Sequence, residues 1–510
     1  MKKILISTIA VSALFFTVSC NTDFDTDVSS IAVSPGEANF ANYVALGNSL
    51  TSGYRDNALY LSGQMESYPN MIAQQMQRAD GGAFVQPLMA DENGGLVLGG
   101  NVIQGTKLYI KSFTNGAPDI VNVAATPTTD VTKKITGPLN NMGVPGAKSF
   151  HLLAPGYGNI AGVATGQANP YYVRFSSSAT SSVLADAVAQ KPTFYSLWIG
   201  NNDVLSYATS GGMGTDRKGN TDPSTYGPND ISDPAVVAGS IQTILQTMKT
   251  AGATQGVIAN IPYVTSIPYF TTVPYNPLSP AALGANLATL NTSLYGPLKQ
   301  ALTAFGAGDR INLLSATAPN PVLIKDVSLT NLSAQITAAL TPALGLPTAT
   351  AFGQIYGQAR QTTAEDYVLL TSKSVIGSAV PGAPASINVY GISYPLENQH
   401  VLTKTEAAAV KTAIDSYNAS IKSLATTYGL AFVDANAKMV ELNAMSGIQF
   451  DGVKYTAKFV TGGTFSLDGV HLTGRGYAVV ANEFIKAINK QYKSTLPMVN
   501  VNSYSGVKFP

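Results

Sequence analysis

Short continuous apolar runs recur along this chain, and each ends at a loop residue. Residues 44–46 run into Gly47, residues 194–199 into Gly200, residues 256–261 into Pro262, and residues 430–433 into Asp434. A run without polar alternation fits a strand buried on both faces, as in a parallel sheet. Between the runs lie helical patterns. Residues 68–76 have a helical composition, and residues 234–251 place Val237, Ile241, Ile244, Leu245 and Met248 on one stripe. Residues 404–428 do the same with Val410, Ile414, Tyr417, Ile421 and Leu424, after a Thr403–Glu406 pair at capping-box spacing. The last pattern, residues 476–492, carries Tyr477, Val480, Phe484, Ile485 and Ile488. Strands alternating with helices predict a three-layer α/β/α sandwich around a central parallel sheet, with ligands bound beyond the carboxyl ends of the strands.

Two segments at opposite ends of the chain carry complementary chemistry. Ser49 stands just past the first run, in Gly47-Asn48-Ser49-Leu50, and residues 468–471 read Asp468-Gly-Val-His471. Serine is a weak nucleophile until a histidine takes its proton, and the histidine needs a carboxylate to fix its tautomer. Ser49 is thus the candidate nucleophile, His471 the base and Asp468 the orienting carboxylate. Asp434, which also ends a strand, is the alternative carboxylate. Two further segments supply donors for an oxyanion: Asn141-Met-Gly-Val-Pro-Gly146 through the Gly146 N–H, and Trp198-Ile-Gly200-Asn-Asn202-Asp203 through the Asn202 amide. The Ser49 N–H completes the set.

The four segments, in this order, resemble the SGNH (GDSL-like) hydrolase family. The resemblance implies a flavodoxin-like SGNH hydrolase fold and a serine esterase or lipase. Such an enzyme cleaves carboxylic esters through an acyl-enzyme and needs no metal or organic cofactor. The chain departs from the family at Asn48, where an Asp is usual; that Asp lies outside the triad. The alternative function is a surface glycan-binding lipoprotein with a degenerate hydrolase fold and little turnover.

Other motifs carry less. The remaining histidines are His151 and His400; the first suits packing and the second the edge of an insertion. Residues 100–107 have the glycine spacing of a phosphate loop, but Thr106 and Lys107 stand in the wrong order. Three scattered histidines and one cysteine cannot build a zinc site. Trp198 fits the core beneath the Asn202 loop. Lys+Arg of 30 against Asp+Glu of 29 leaves no basic stripe, which excludes the electrostatic footprint of nucleic-acid binding.

Charged residues make up only 12% of the chain, below the usual figure of about 25%. That polar, uncharged character suits an exported protein and leans the expected substrate toward acylated carbohydrate or short-chain esters, with lipid open. Lys2-Lys3 and an apolar stretch over residues 4–18, ending at Ser19-Cys20, resemble a bacterial lipoprotein signal. The expected organisation is a signal peptide over 1–19, a flexible tether over 20–40 lipidated at Cys20, and a hydrolase domain over 41–510. Such a protein sits in the cell envelope, anchored by its lipid to the bacterial outer membrane. The domain exceeds a minimal core, and the surplus falls near 79–138, 207–233 and 318–399, read as insertions around one active site.

Overall fold

The computed structural model describes residues 32–114 and 116–510. At its centre are β1 (Tyr43–Gly47), β2 (Asn141–Gly143), β3 (Phe194–Trp198), β4 (Gln255–Ala259) and β5 (Ala431–Val433). They form one five-stranded sheet in the order β2-β1-β3-β4-β5, with all neighbours parallel. This is the flavodoxin-like order, whose switch point lies between β1 and β3. Leu46 sits between Met142 and Leu197, and Gly47 between Gly143 and Trp198. Every residue of β1 and β3 is buried, so helices must cover both faces.

The covering helices are α1 (Tyr68–Gln77), α2 (Asn202–Thr209), α3 (Pro234–Thr250), α4 (Lys404–Tyr428), α5 (Ala435–Asn443) and α6 (Gly474–Tyr492). α1 packs on α6, and α3 packs on α4. Val410, Ile414, Tyr417 and Ile421 of α4 are buried, as are Phe484, Ile485 and Ile488 of α6. Fully burying one such side chain contributes roughly 1.5–3 kcal/mol. The Thr403–Glu406 capping box forms at the start of α4.

Four strands coincide with the apolar runs, and β2 does not. It is three residues long and opens on Asn141. Burial of that polar residue is tolerated because its amide donates to Thr51 O at 3.0 Å and Gln86 Oε1 at 2.9 Å.

The surplus sequence folds in distinct ways. Strands Leu96–Leu98 and Asn101–Gln104 form one antiparallel hairpin, and Leu108–Thr114 and Ala117–Asn122 form another. The chain from Val273 to Val401 closes around a hydrophobic cluster separate from that of the sheet, with Leu298, Ile324, Ile336 and Tyr356 inside it. This body starts ahead of the 318–399 stretch marked by turn chemistry. Its buried polar centre is Arg360, whose Nη1 and Nη2 donate to the two oxygens of Asp366 at 2.7 Å each and whose Nε donates to Asp326 at 2.6 Å. Asp366 Oδ1 also accepts the Lys404 N–H at 2.9 Å, fastening this body to the first turn of α4.

The expected tether over 20–40 needs correction at its carboxyl end. Thr495 N donates to Ser34 O at 2.9 Å and Glu37 N to Tyr492 O at 2.7 Å. Phe40 is 2% exposed and meets Phe194 edge-on at 5.1 Å. Apolar Ala38 and Phe40 have a core to enter, so residues 34–40 belong to the folded body. Cys20, the signal-like segment and the rest of the proposed tether up to residue 31 lie outside the described residues. Among the described residues, no helix is long and apolar enough to cross a membrane.

Candidate active site

The Ser49 loop is shaped by close packing. A Cβ on Gly47 would stand 2.1 Å from Thr51 Oγ1 and 2.5 Å from Trp198 O, so only glycine fits there. Asn48 then caps the single helical turn Ser49–Ser52: its Oδ1 accepts the Leu50 N–H at 3.1 Å. Its Nδ2 donates to Asn201 Oδ1 at 3.1 Å, tying the loop after β1 to the loop after β3. A carboxylate at position 48 would keep the cap and lose this donation, which gives the amide a structural reason.

Ser49 Oγ is 2.9 Å from His471 Nε2, and His471 Nδ1 is 3.0 Å from Asp468 Oδ2. A carboxylate only accepts, so Nδ1 carries the proton, and Nε2 is left to accept from the Ser49 hydroxyl. Asp468 Oδ1 accepts the N–H groups of Val470 and His471, both at 2.8 Å, and the Ser466 hydroxyl at 3.1 Å. Its Oδ2 also accepts the Asn57 N–H at 2.9 Å. Burial pushes the Asp468 carboxyl up, but His471 beside it and these N–H donors outweigh burial and hold it well below the usual carboxylate range. The Tyr54 ring lies against the imidazole, with centroids 4.6 Å apart.

The Asn57 donor comes from an unusual turn. Asp56 and Asn57 both have positive φ, 53° and 60°, a conformation that Asp and Asn tolerate better than most residues. The turn is pinned on both sides. Asp56 N donates to Ser466 Oγ at 2.9 Å, Leu467 N to Asp56 Oδ1 at 3.1 Å, and the Tyr60 hydroxyl to Asp56 Oδ2 at 2.7 Å. Arg55 below it pairs with Glu66 at 2.7 Å. Neither Asn57 nor Ser466 was marked by any motif. The Asp-Asn pair is a turn signal, but nothing in its sequence says which carboxylate it faces.

The expected oxyanion donors differ in placement. The Ser49 N–H heads its helical turn, and among the described residues no acceptor takes it. The Gly146 N–H is equally untaken. Gly146 has φ 81° and is exposed, and a Cβ there would meet nothing nearer than Asn169 Nδ2 at 4.0 Å. The left-handed backbone, not crowding, is what demands glycine. Asn202 opens α2 and spends one amide hydrogen on Ala147 O at 3.0 Å, leaving the other free. Asp203 binds the same two segments together, accepting Ser149 N at 2.7 Å and the Ser149 hydroxyl at 2.9 Å. Ser49, Asn202 and His471 line a common cavity of about 110 Å³; Gly146 is outside its wall.

The remaining candidates lie elsewhere. Asp434 caps α5, accepting Ala437 N at 3.0 Å and Asn260 Nδ2 at 2.8 Å. His151 stacks on Tyr157, and burial lowers its pKa to about 4. His400 is 3.3 Å from the buried Ser372 hydroxyl. Trp198 is buried and donates to Asn260 O at 3.0 Å. Among the described residues, no group of three or more His, Cys, Asp or Glu could hold a metal ion.

No protein-family model matches the chain, and no curated protein matches it. Among solved structures, it is similar to a mutant of Axe2, an acetyl-xylooligosaccharide esterase from Geobacillus Stearmophilus. The identity is 10%, the match covers 89% of this chain and 96% of that chain, and the TM-score is 0.32. A likeness at that level establishes no activity.

Proposed function

We propose that this protein is a serine hydrolase that cleaves carboxylic esters through an acyl-enzyme. The observation that carries this is the hydrogen-bonded series Ser49 Oγ, His471 Nε2, His471 Nδ1 and Asp468 Oδ2, with links of 2.9 and 3.0 Å. It stands at the carboxyl ends of β1 and β3, the switch point where α/β sheets bind ligands. The likeness of the four sequence segments to SGNH hydrolases supports the same assignment.

The Ser49 oxygen bonds to the ester carbonyl carbon while its proton passes to His471 Nε2. The carbonyl oxygen becomes an oxyanion, met by the Ser49 N–H and the free Asn202 amide hydrogen, with Gly146 as the third donor. Collapse breaks the bond to the alcohol oxygen, and the imidazolium returns the proton to that leaving group. Water then repeats the sequence on the acyl-enzyme, His471 taking its proton, and releases the acid. Asp468 stabilises the imidazolium without taking a proton. A fluorophosphonate should place one adduct on Ser49 and abolish hydrolysis of chromogenic esters. An adduct elsewhere on folded, active protein refutes the assignment.

We further propose a lipid anchor at Cys20, supported by the signal-like segment ahead of it. Cys20→Ala should then move the protein from the membrane fraction to the soluble one.

A further inference from the structure

The cavity beside Ser49 has a composition and a direction that ester hydrolysis alone does not require. It starts at Ser49, Asn202 and His471 and reaches Ala435 and Lys438 on α5 and Glu483 on α6. Ser49 follows β1, and Ala435 follows β5, with β3 and β4 between them. The cavity thus runs along the carboxyl edge of the sheet for three strand spacings, about 14 Å.

Its wall is apolar for almost all of that length, formed by Leu50, Val264, Ile267, Leu442, Ile448 and Val479 among others. Beyond Ser49, Asn202 and His471 the polar groups along it are few, and several are partnered. Asn48 and Asn201 bond each other at 3.1 Å, and the Thr464 hydroxyl donates to Thr456 O at 2.7 Å. Little along the wall is left to bind a sugar hydroxyl. An unfilled apolar space also forfeits the dispersion contacts of its lining, so its persistence beside a nucleophile calls for an apolar occupant.

The far end carries charged side chains. Lys438 Nζ is 3.5 Å from Glu483 Oε2 and 2.6 Å from Glu441 Oε2, and Lys486 Nζ is 2.8 Å from Glu483 Oε1. A methyl group can abut such a pair, but a chain that passes it must part the ions.

We propose that this cavity holds the acyl chain of the ester and measures its length. The carbonyl sits at Ser49 and the terminal methyl stops short of the Lys438–Glu483 pair. Two lengths agree. A zigzag chain advances about 1.3 Å per methylene, from C–C bonds of about 1.5 Å, so about 14 Å takes about eleven carbons, or about ten when the methyl stops one step short of the end. A water-sized group needs about 10–15 Å³ of such space, so 110 Å³ takes about seven to eleven. The preferred substrates are esters of medium-chain acids, about eight to ten carbons, and not acetyl esters. This rests on Ser49 being the nucleophile.

Two measurements test it. The first is kcat/KM on p-nitrophenyl esters from acetate to palmitate. Burying each added methylene should raise it about threefold to fourfold, up to octanoate or decanoate, followed by a fall. Val480→Phe and Ala435→Leu, both in the cavity wall, should each lower the decanoate-to-acetate ratio at least tenfold. Glu483→Ala should move the optimum to longer chains. The second is calorimetric titration of folded Ser49→Ala with decanoate and with acetate; decanoate should bind and acetate should not. A profile that is flat or falls from acetate onward, or a ratio unmoved in both folded wall variants, overturns the acyl cavity and leaves the serine mechanism standing. Decanoate binding with no turnover of any ester overturns the mechanism and leaves the cavity. Neither binding nor turnover overturns both.

Discussion

Asp468 is largely shielded from solvent, its side chain 9% exposed, and it is ionised because the chain surrounds it with donors. Replacing it by Asn keeps the shape but offers His471 the wrong partner for its Nδ1 proton. Asp468→Asn should therefore lower kcat by about 10⁴ with the fold retained. The same carboxylate gives a pH dependence of stability. Its folded-state pKa is held below the unfolded value, which is about 3.9. The unfolded chain thus binds more protons in acid, and the stabilisation is complete above that value and lost as pH falls below it. Urea midpoints should show wild type ahead of Asp468→Asn at pH 6, with the gap closing below about pH 4. Single-turnover assays should show Ser49→Ala and His471→Ala nearly inactive and Asn202→Ala down by about 10²–10³. Asn57 makes its contact through its backbone N–H, so conformation is what matters at that position. Asn57→Gly should be close to wild type. Asn57→Val, which resists φ of 60° at about 1–3 kcal/mol, should slow turnover about tenfold or more; equal rates for the two variants would remove Asn57 from the site. Ser49, His471 and Asp468 were legible because each sits in a local pattern whose chemistry is incomplete alone. Asn57 and Ser466 were not, because their partnership exists only once the loop after Gly53 meets the loop before His471.

β1 and the turn after it depend on Gly47, whose place between Thr51 and Trp198 leaves no room for a methyl group. The nearest backbone atom to an added Cβ, Trp198 O at 2.5 Å, belongs to the central strand β3 and has little freedom to move. Gly47→Ala should lower the unfolding free energy by about 1–3 kcal/mol or more, read as a shifted urea midpoint, and disturb Ser49 labelling as well. Arg360 governs a different element. Its removal leaves Asp326 and Asp366 facing each other in the core of the 273–401 body, 4% and 0% exposed at the side chain. Arg360→Ala should destabilise that body by about 3–5 kcal/mol. Hydrogen exchange should show protection lost first in its helices Ser333–Leu344 and Leu346–Tyr356. α4 was legible to its ends because a capping box opens it and Gly429, with φ 66°, closes it. β2 was not, because three residues led by Asn141 show no apolar run; its strand character comes from pairing with β1.

The two ends of the described chain are joined. Residues 34–40 hydrogen-bond to Tyr492 and Thr495 and pack Phe40 on Phe194, so the folded body begins earlier than the composition of the first forty residues implied. A chain starting at residue 32 should melt as the longer one does. One starting at residue 41 should melt several degrees lower, since loss of a buried Phe alone costs about 3–5 kcal/mol; equal melting temperatures would show that the segment is dispensable. The layered architecture was legible because burial on both faces writes itself into the strands. The extent of the 273–401 body was not, because its cluster draws on residues far apart in sequence with no single period. Ser49 and His471 stand 422 positions apart, and this separation bears on how the protein is made. Ser49 emerges from the ribosome 422 positions ahead of the imidazole that it faces in the folded protein. Under the proposed serine mechanism, a nascent or truncated chain that stops before His471 lacks the base, and ester hydrolysis should begin only once the loop around residue 471 has been made and has docked on the loop after β1.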